Sequence, residues 1–242
     1  MNETKIFGLV GRKISYSFSK KYFEEKFTKL FLQNHHYKVF DIQNINEVTN
    51  VFQIPGLQGF NVTIPYKTEI ISYLDELSEE AEKIGAVNTV LIKDGIKKGF
   101  NTDAFGFEKT LLIGLKPHHK NALILGDGGA AKAVRYVLDS YEISHQTVSR
   151  KGTLNFKNLS EELVADHQLI IQTTPVGTFP EVDNCLKFPF NALTKQHLAI
   201  DLIYNPDYTK FLSQCAASGA KTLNGFYMLE QQAEKAWKIW NY

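Results

Sequence analysis

Lys67 stands at the end of the segment GFNVTIPYK, residues 59–67, where an alternating strand pattern runs into a proline, an aromatic residue and a lysine. Side chains that follow a strand end project into a crevice, where burial can lower the pKa of a lysine amine toward neutrality. Asp103 ends the segment GFNTD and could orient such an ammonium group. Together the two residues could exchange a proton with a carbonyl or alcohol oxygen. Taken alone, each is also compatible with an ordinary surface charge.

A glycine-rich turn, GDGGAA at residues 126–131, follows a short apolar segment and precedes a helical pattern. In this context G-x-G-x-x-G/A is typical of dinucleotide binding, because glycines let the backbone approach a pyrophosphate at a helix N-terminus. The carboxylate of Asp127, inside the turn, must point away from the phosphates or be offset by a cation. The alternative interpretation is a tight turn that binds no ligand.

Ser149, Arg150 and Lys151 occupy the position about 20 residues further on that contacts the adenosine ribose in such sites. An acidic residue there binds the 2′-hydroxyl of NAD, whereas a cation accommodates the 2′-phosphate of NADP. The planar guanidinium group of Arg150 therefore favours NADP. A solvated pair of surface cations is the alternative.

A nicotinamide cofactor transfers hydride, so the reacting oxygen of the substrate also needs a proton donor or acceptor. The histidine pairs at residues 35–36 and 118–119 lie in polar surroundings, and no H-E-x-x-H spacing indicates a metal site. Lys67 is therefore the preferred candidate for proton transfer, and we expect no metal.

Alternating strand and helix patterns must position these groups, and they predict an α/β fold. Residues 5–11 predict a strand, and residues 17–33 predict a helix with a buried stripe formed by Phe18, Tyr22, Phe23, Phe27, Leu30 and Phe31. Asp94-Gly95 predicts a hairpin turn. Beyond residue 103, near-continuous apolar strands separated by helices predict a parallel sheet covered on both faces. The length of 242 residues favours two domains.

The composition limits the classes of partner. A formal net charge of +1 gives no indication of nucleic-acid binding, so any anionic ligand must be recognised by a few local groups. Two cysteines without metal-binding spacing favour a reducing compartment. No segment resembles a signal peptide or reaches the roughly 18 apolar residues of a membrane helix. We expect a soluble, cytoplasmic protein with a small-molecule substrate and neither nucleic-acid nor membrane partners.

Eight motifs occur in one order along residues 8–237, namely GLVG with SYSFS, NVTIPYK, GAVNT, NTD, GDGGAA, TTPVG, DLIYNP and NGFYMLEQQA. In order and spacing they resemble the shikimate dehydrogenase family. The resemblance implies reversible reduction of 3-dehydroshikimate by NADPH, on the route to chorismate and the aromatic amino acids. It also implies a substrate domain at residues 1–102, completed by a C-terminal helix at 224–242, and a Rossmann-like NADP domain at 103–223. The protein is then expected to be a monomer or a homodimer.

The resemblance also implies roles for individual residues. Lys67 is the general acid and base, and Asp103 bonds the reacting oxygen and orients the ammonium group. The implied substrate-binding residues are Ser17 and Ser19 at the carboxylate, Tyr204 beside it, and Thr63, Asn88 and Gln232 at the ring hydroxyls. The implied cofactor-binding residues are Gly126, Asp127, Gly128, Gly129, Ala130, Ser149, Arg150, Thr173 and Gly225. Ser17 could also cap the helix that follows it.

Two departures from the family pattern and two other functions complete the expectations. Tyr66 replaces the usual histidine beside Lys67, and Gln172 replaces the asparagine of the NTTPVG loop. One alternative function is a quinate/shikimate dehydrogenase that prefers NAD. The other is a non-catalytic module that binds a dinucleotide or shikimate, although binding alone needs neither Lys67 nor Asp103.

Overall fold

The computed structural model describes residues 3–14 and 18–241, which form two compact units. The first unit comprises the chain up to Thr102 and the segment from Ala233 onward, and the second comprises Asp103–Gln232. Both units consist of a β-sheet with helices, so the α/β class predicted from the sequence is confirmed. Ser15, Tyr16 and Ser17 lie outside the described residues, and so does the role expected for Ser17.

The first unit is built on a six-stranded mixed sheet with the strand order β2-β1-β3-β5-β6-β4. Its helices and strands are β1 (Lys5–Gly11), α1 (Phe18–Lys29), β2 (His35–Asp41), α2 (Val48–Phe52), β3 (Gly59–Val62), β4 (Glu76–Leu77), α3 (Glu79–Ile84), β5 (Thr89–Lys93) and β6 (Ile96–Phe100). Short 3-10 turns occupy Ile45–Glu47 and Glu69–Tyr73. Strand β1 pairs in parallel with β2 and β3, whereas β5 runs antiparallel to β3 and β6.

The predicted hairpin between β5 and β6 is confirmed. Asp94 has φ 53° and Gly95 has φ 80°, so both central residues of the turn adopt the left-handed conformation. Two-residue hairpins of this kind match the right-handed twist of their strands, and Asp-Gly is among the sequences that form them most readily.

The second unit is a five-stranded parallel sheet with the strand order β11-β10-β9-β7-β8. Its elements are α4 (Asp103–Gly114), β7 (Asn121–Leu125), α5 (Gly129–Ser140), β8 (Ser144–Val148), α6 (Glu161–Ala165), β9 (Leu169–Gln172), β10 (Leu198–Asp201), α7 (Lys210–Ala217), β11 (Lys221–Leu223) and the start of α8 (Phe226–Trp240). The strand order switches direction at β7, because β8 is added on one side of it and β9 on the other. In open α/β sheets, ligands bind at the carboxyl ends of the strands at such a switch point.

Helix α1 is shorter than the sequence predicted. Of its predicted stripe, Phe23 and Phe27 are buried and Phe18 and Tyr22 are half-buried, whereas the last two members are exposed. The helix ends at Lys29, and Phe31 has φ 56°. The backbone N–H of Leu32 then returns to the carbonyl of Phe27, so the two residues before it lie in the turn. Phe31 is 88% exposed and Leu30 is 48% exposed. The expectation of a buried stripe through residues 30 and 31 was wrong, because the left-handed residue ends the helical periodicity.

Helix α8 begins in the second unit and ends in the first. In the second unit, Gly106 of α4 lies so close to α8 that a Cβ would be 3.1 Å from the Met228 side chain and 3.3 Å from Gln232 Cβ. In the first unit, Trp240 Nε1 donates to the carbonyl of Val90 at 3.0 Å. From the sequence, the cofactor domain was expected to end at residue 223 and the whole C-terminal helix to belong to the substrate domain. In the structure the second unit extends to Gln232, because the first turns of α8 pack on α4.

An aromatic core holds the last turns of α8 to the sheet of the first unit. It consists of Phe7, Leu9, Phe23, Phe27, Tyr37, Ala233, Ala236 and Trp240. The rings of Phe7 and Trp240 lie 4.9 Å apart, and those of Phe23 and Trp240 lie 5.2 Å apart. Among the described residues, no helix is long and apolar enough to cross a membrane.

Candidate active site

The backbone around Lys67 is fixed by hydrogen bonds within the first unit. Strand β3 ends at Val62, and the next residue, Thr63, donates its N–H to the Val10 carbonyl at 2.9 Å. The carbonyl of Lys67 accepts from the N–H of Val87 at 2.7 Å, and the lysine residue is half-buried. Lys67 therefore lies in a turn whose backbone is fixed by hydrogen bonds and which follows an inner strand of the sheet.

Tyr66, which replaces the family's usual histidine beside Lys67, is buried and hydrogen-bonded. The Tyr66 residue is 2% exposed, and its hydroxyl donates to the carbonyl of Ile42 at 2.9 Å. Burial raises the pKa of Tyr66, so the hydroxyl remains a donor at neutral pH. Tyr66 ties the turn that carries Lys67 to the loop after β2.

A buried polar network lies next to this turn. Asn88 Oδ1 accepts from the backbone N–H of Thr102 at 2.7 Å, and Asn88 Nδ2 donates to Thr102 Oγ1 at 3.0 Å. Asn61 Nδ2 donates to Thr89 Oγ1 at 3.0 Å and to the Asn88 carbonyl at 3.3 Å. All four residues are buried. The GAVNT and NTD segments are therefore joined by side chains that cannot leave without exposing unpaired buried groups.

Asp103 is the first residue of α4 and is 4% exposed. It directly follows Thr102, so the network fixes the backbone immediately before the carboxylate. A negative charge in the first turn of a helix is favoured by the helix dipole. Lys67 belongs to the first unit and Asp103 to the second.

Ser19 lies in the first turn of α1 and is half-buried. Burial raises the pKa of Tyr37 and outweighs the opposite effect of a side-chain hydrogen bond between Tyr37 and Ser19. The Tyr37 hydroxyl donates in turn to Asn61 Oδ1 at 2.8 Å. Tyr37 was not among the site residues predicted from the sequence, and neither was Asn61.

The glycine turn of the second unit connects β7 to α5 at the switch point of the sheet. Gly126 has φ +120°, and a Cβ on it would be 2.6 Å from Thr173 Oγ1. Gly128 is the N-cap residue of α5, and a Cβ on it would meet no atom within 4 Å. Gly129 and Ala130 then begin the helix. The turn therefore combines a position that strongly favours glycine with open space in front of a helix N-terminus.

The Asp127 carboxylate is offset by a cation, which is one of the two possibilities that its position in the turn left open. Arg135 Nη1 donates to Asp127 Oδ1 at 2.8 Å and to Thr147 Oγ1 on β8 at 3.4 Å. Arg135 comes from the second turn of α5. Lys132 lies on the same helix, so the sequence alone does not show which of the two cations meets the carboxylate.

Ser149 and Arg150 follow the end of β8, at the edge of the same sheet. The Ser149 N–H donates to the Leu154 carbonyl at 3.1 Å, and the Ser149 carbonyl accepts from the N–H of Gly152 at 3.4 Å. These bonds close a tight loop in which Arg150 is exposed. The loop thus presents the guanidinium group beside the strand end expected to meet an adenosine ribose.

The loop after β9 is shaped by Gln172, the residue that replaces the family's asparagine. Gln172 Oε1 accepts from both the N–H and the hydroxyl of Thr174, at 2.8 and 2.7 Å, and Nε2 donates to the Val176 carbonyl at 3.1 Å. Thr173 Oγ1 donates to the Leu125 carbonyl at 3.0 Å. The glutamine amide therefore holds the loop closed next to the end of β7.

Three further predicted residues lie in the second unit. Gly225 approaches the carbonyl of Leu202 so closely that any Cβ would overlap it, and its N–H donates to the Ile203 carbonyl at 2.9 Å. Tyr204 is half-buried, and burial raises its pKa. Gln232 is half-buried on α8, facing Gly106.

Asp201 is a buried carboxylate that received no role in the sequence analysis. It is 0% exposed and accepts from Thr209 Oγ1 at 2.6 Å and from the Ile203 N–H at 3.0 Å. Burial raises the pKa of Asp201 to about 6, although both hydrogen bonds act in the opposite direction. Thr209 also caps α7, so Asp201 fixes the loop that carries Tyr204.

Known proteins of one family are similar to this chain over nearly its whole length. The family described as "Shikimate dehydrogenase substrate binding domain" matches residues 9–90. "Shikimate dehydrogenase (NADP(+))" of Methanosphaera stadtmanae is 35% identical over 98% of this chain and 91% of its own length. The Thermus thermophilus shikimate 5-dehydrogenase in complex with NADP(H) and shikimate has a TM-score of 0.86 at 29% identity, covering 98% of this chain and 93% of that chain.

A second solved structure is relevant to cofactor and substrate preference. Quinate dehydrogenase from Corynebacterium glutamicum in complex with NAD also has a TM-score of 0.86, at 26% identity, covering 99% of this chain and 94% of that chain. The backbone therefore does not separate the two specificities. The sequence similarity to these relatives nonetheless extends over nearly the whole chain. This chain therefore belongs to the shikimate dehydrogenase family.

Proposed function

We propose that the protein catalyses the reversible, NADP(H)-dependent interconversion of 3-dehydroshikimate and shikimate. The observation that carries this proposal is the near full-length relation to proteins named "Shikimate dehydrogenase (NADP(+))". The fold supports it, because the second unit has a dinucleotide-type glycine turn and the first carries the predicted lysine after an inner strand. The first unit is then the substrate-binding domain, and the second is the cofactor-binding domain.

The residues of the second unit suit NADP. Gly126 permits the close turn, and the open space at Gly128 leaves room for a pyrophosphate against the N–H groups of Gly129 and Ala130. Asp127 is neutralised by Arg135. Ser149 and Arg150 would hold the 2′-phosphate, and Thr173 and Gly225 would contact the rest of the cofactor. When bound, NADPH supplies the hydride.

Lys67 and Asp103 would supply the proton chemistry. In the reductive direction the Lys67 ammonium protonates the oxygen of the former carbonyl, and in the oxidative direction the neutral amine takes the proton from the alcohol. Asp103 bonds the reacting oxygen and keeps the ammonium oriented. Hydrogen bonds fix the backbone at Lys67 and immediately before Asp103, which supports these roles. A proton donor acts only when it is within hydrogen-bonding distance of the acceptor.

The substrate is a small polyol acid, and the proposed contacts match its groups. Ser17 and Ser19 would donate to the carboxylate, with Tyr204 beside it. Thr63, Asn88 and Gln232 would bond the ring hydroxyls. Asn88 is already held by Thr102, so its amide is oriented before substrate arrives. Pre-orientation reduces the entropy lost on binding.

A turnover assay with matched variants tests the proposal. Purified protein is mixed with shikimate and NADP+, and NADPH absorbance is followed. Lys67→Met should reduce kcat at least about a hundredfold, since positioned acid–base catalysis contributes roughly 10²–10⁴-fold. Lys98→Met is the control, because Lys98 is another half-buried lysine of the first unit and pairs with Glu76 at 2.8 Å. Folded wild-type protein that does not turn over shikimate, or a Lys67→Met variant as active as Lys98→Met, would refute the proposal.

The two alternatives give different results in the same assay. A quinate dehydrogenase that prefers NAD would show a higher kcat/KM with quinate and NAD than with shikimate and NADP+. Arg150 argues against it, because a guanidinium group at the end of β8 suits a 2′-phosphate. A non-catalytic binding module would bind cofactor in calorimetry without turnover.

A further inference from the structure

Tyr37 links three elements of the first unit through one buried side chain. It lies on β2 and is 3% exposed. Its ring stacks on Phe23 of α1, with the centroids 4.7 Å apart and the planes at 10°. Its hydroxyl donates to Asn61 on β3, two strands away across β1. The Tyr37 side chain therefore joins α1, β2 and β3.

Ser19 and Phe23 lie on the same face of α1, because residues four apart are neighbours on a helix. The Tyr37 ring therefore packs against the turn of α1 that follows Ser19. Helix α1 is thus fixed to β2 by an apolar contact one turn after a serine that the proposed function assigns to the substrate carboxylate.

The directions of the hydrogen bonds around Asn61 follow from which groups can donate and which can only accept. Asn61 Nδ2 faces the Asn88 carbonyl, which can only accept, so the orientation of the Asn61 amide is fixed. Asn61 Oδ1 is then the acceptor, and Tyr37 must donate to it at 2.8 Å. The Tyr37 hydroxyl therefore fixes Asn61, whose amide in turn donates to the Asn88 carbonyl.

We propose that Tyr37 is a positioning residue for substrate binding, whose hydroxyl holds Asn61 and through it steadies Asn88 at the ring side of the substrate. The inference rests on the proposed function, since it takes shikimate as the ligand. Tyr37 acts through these neighbours and not on the reacting atoms. Its removal should weaken the binding of substrate without changing the use of cofactor.

Tyr37→Phe tests this directly, because the phenylalanine ring keeps the stack on Phe23 and removes only the hydroxyl. Asn61 Oδ1 then loses its donor, and the Asn61 amide that bonds the Asn88 carbonyl is less firmly held. We expect KM for shikimate to rise about five- to tenfold, as the loss of one buried hydrogen bond predicts. KM for NADP+ should stay within about twofold of the wild-type value, as should kcat, since neither cofactor contact nor proton transfer is assigned to this hydroxyl.

Tyr73→Phe is the matched control. The Tyr73 hydroxyl donates to Asn46 Oδ1 at 2.7 Å, so this variant removes the same kind of tyrosine–asparagine bond from the same unit, at residues to which no site role is assigned. Both variants can lose thermal stability, but only Tyr37→Phe should change KM for shikimate. A Tyr37→Phe variant with lowered melting temperature and unchanged KM for shikimate would show a purely structural role and overturn the inference.

The outcome for the wild-type protein separates this inference from the proposed function. Wild-type protein that neither binds nor oxidises shikimate refutes the function itself. Wild-type protein that turns over shikimate, together with a Tyr37→Phe variant of unchanged or lower KM, refutes only the role of Tyr37. An equal rise in KM for shikimate and NADP+ also refutes it, because such a change would reflect general damage.

Discussion

Arg135 forms an ion pair with Asp127 at 2.8 Å, inside the glycine turn of the second unit. Asp127 puts a negative charge where a pyrophosphate is expected, and Arg135 compensates it from the second turn of the following helix. The Arg135 side chain is 27% exposed and that of Asp127 is 54% exposed, so the pair is only partly screened by water. The pair makes an acidic residue tolerable in a phosphate-binding turn.

Arg135→Gln should therefore weaken the binding of cofactor without affecting the binding of substrate. The uncompensated Asp127 carboxylate would repel the pyrophosphate, and we expect KM for NADP+ to rise about tenfold, equivalent to about 1.4 kcal/mol. KM for shikimate should not change. The double variant Arg135→Gln/Asp127→Ala should recover most of the loss. Lys97→Gln, which breaks an ion pair with Asp75 in the first unit, is the control. Failure of the double variant to recover would contradict the charge argument.

Arg150→Ala tests the basis of cofactor preference. Loss of a charge-assisted bond to a 2′-phosphate predicts a fall in kcat/KM for NADP+ of about tenfold to a hundredfold, with NAD barely affected. The ratio of the two kcat/KM values is the measurement. Lys157→Ala, at another exposed cation of the same unit, should leave the ratio unchanged. Equal losses with both cofactors would assign Arg150 to a different role.

Gly128→Ala should affect function and stability differently. Gly128 has φ −94°, which alanine adopts without strain, and its Cβ would project into open space. The melting temperature should therefore be unchanged or slightly raised. The added methyl group would nevertheless occupy the approach to the helix N-terminus, so we expect KM for NADP+ to rise at least about tenfold, the effect of about 1.4 kcal/mol. An alanine variant with normal KM for NADP+ would show that the cofactor does not approach this turn.

Asp201 predicts a specific pH dependence of folding. Its pKa is about 6 in the folded protein, above the ordinary 3.8, so the folded state binds more protons between these values. The resulting stabilisation is fully present below pH 3.8 and is lost as the pH rises through about 6, a change of about 3 kcal/mol. Asp201→Asn should therefore gain stability relative to wild type as the pH rises from 4 to 7 in urea titrations.

Asp183→Asn provides a control of opposite sign. Asp183 pairs with Lys210 at 2.9 Å on the surface, and this pairing lowers the pKa of Asp183. Its stabilising effect is present above the ordinary pKa and is lost as the pH falls. The Asn variant should thus lose stability relative to wild type as the pH rises. A pH-independent difference between Asp201→Asn and wild type would contradict the raised pKa.

The sequence predicted the elements with strong periodic patterns and missed those that depend on tertiary contacts. Apolar strands such as β7 and β9, and the Asp94-Gly95 hairpin, follow from local residue types. Strand β11 has only three residues at a sheet edge and no pattern that identifies it. The exposed end of α1 was missed because a left-handed Phe31 is not foreseen from an aromatic periodicity.

The candidate site shows the same limit. Lys67 and the glycine turn could be singled out, because their position after a strand gives them meaning. Tyr37 and Arg135 could not, because each acts through a partner that local patterns do not identify: Asn61 is 24 residues from Tyr37, and Asp127 is 8 residues from Arg135. Only the folded chain shows which polar side chain meets which.

The anchoring of Trp240 to Val90 has a consequence for biosynthesis. The aromatic core of the first unit includes residues from near the start of the chain and from its last helix. A ribosome must therefore synthesise and release the chain as far as Trp240 before Phe7 and Phe23 can meet it. All strands of the second unit precede α8 in the chain, so its sheet can form earlier during translation. The aromatic core of the first unit, in contrast, stays incomplete until α8 is available. Nascent chains stalled before α8 should thus be the species most in need of chaperones.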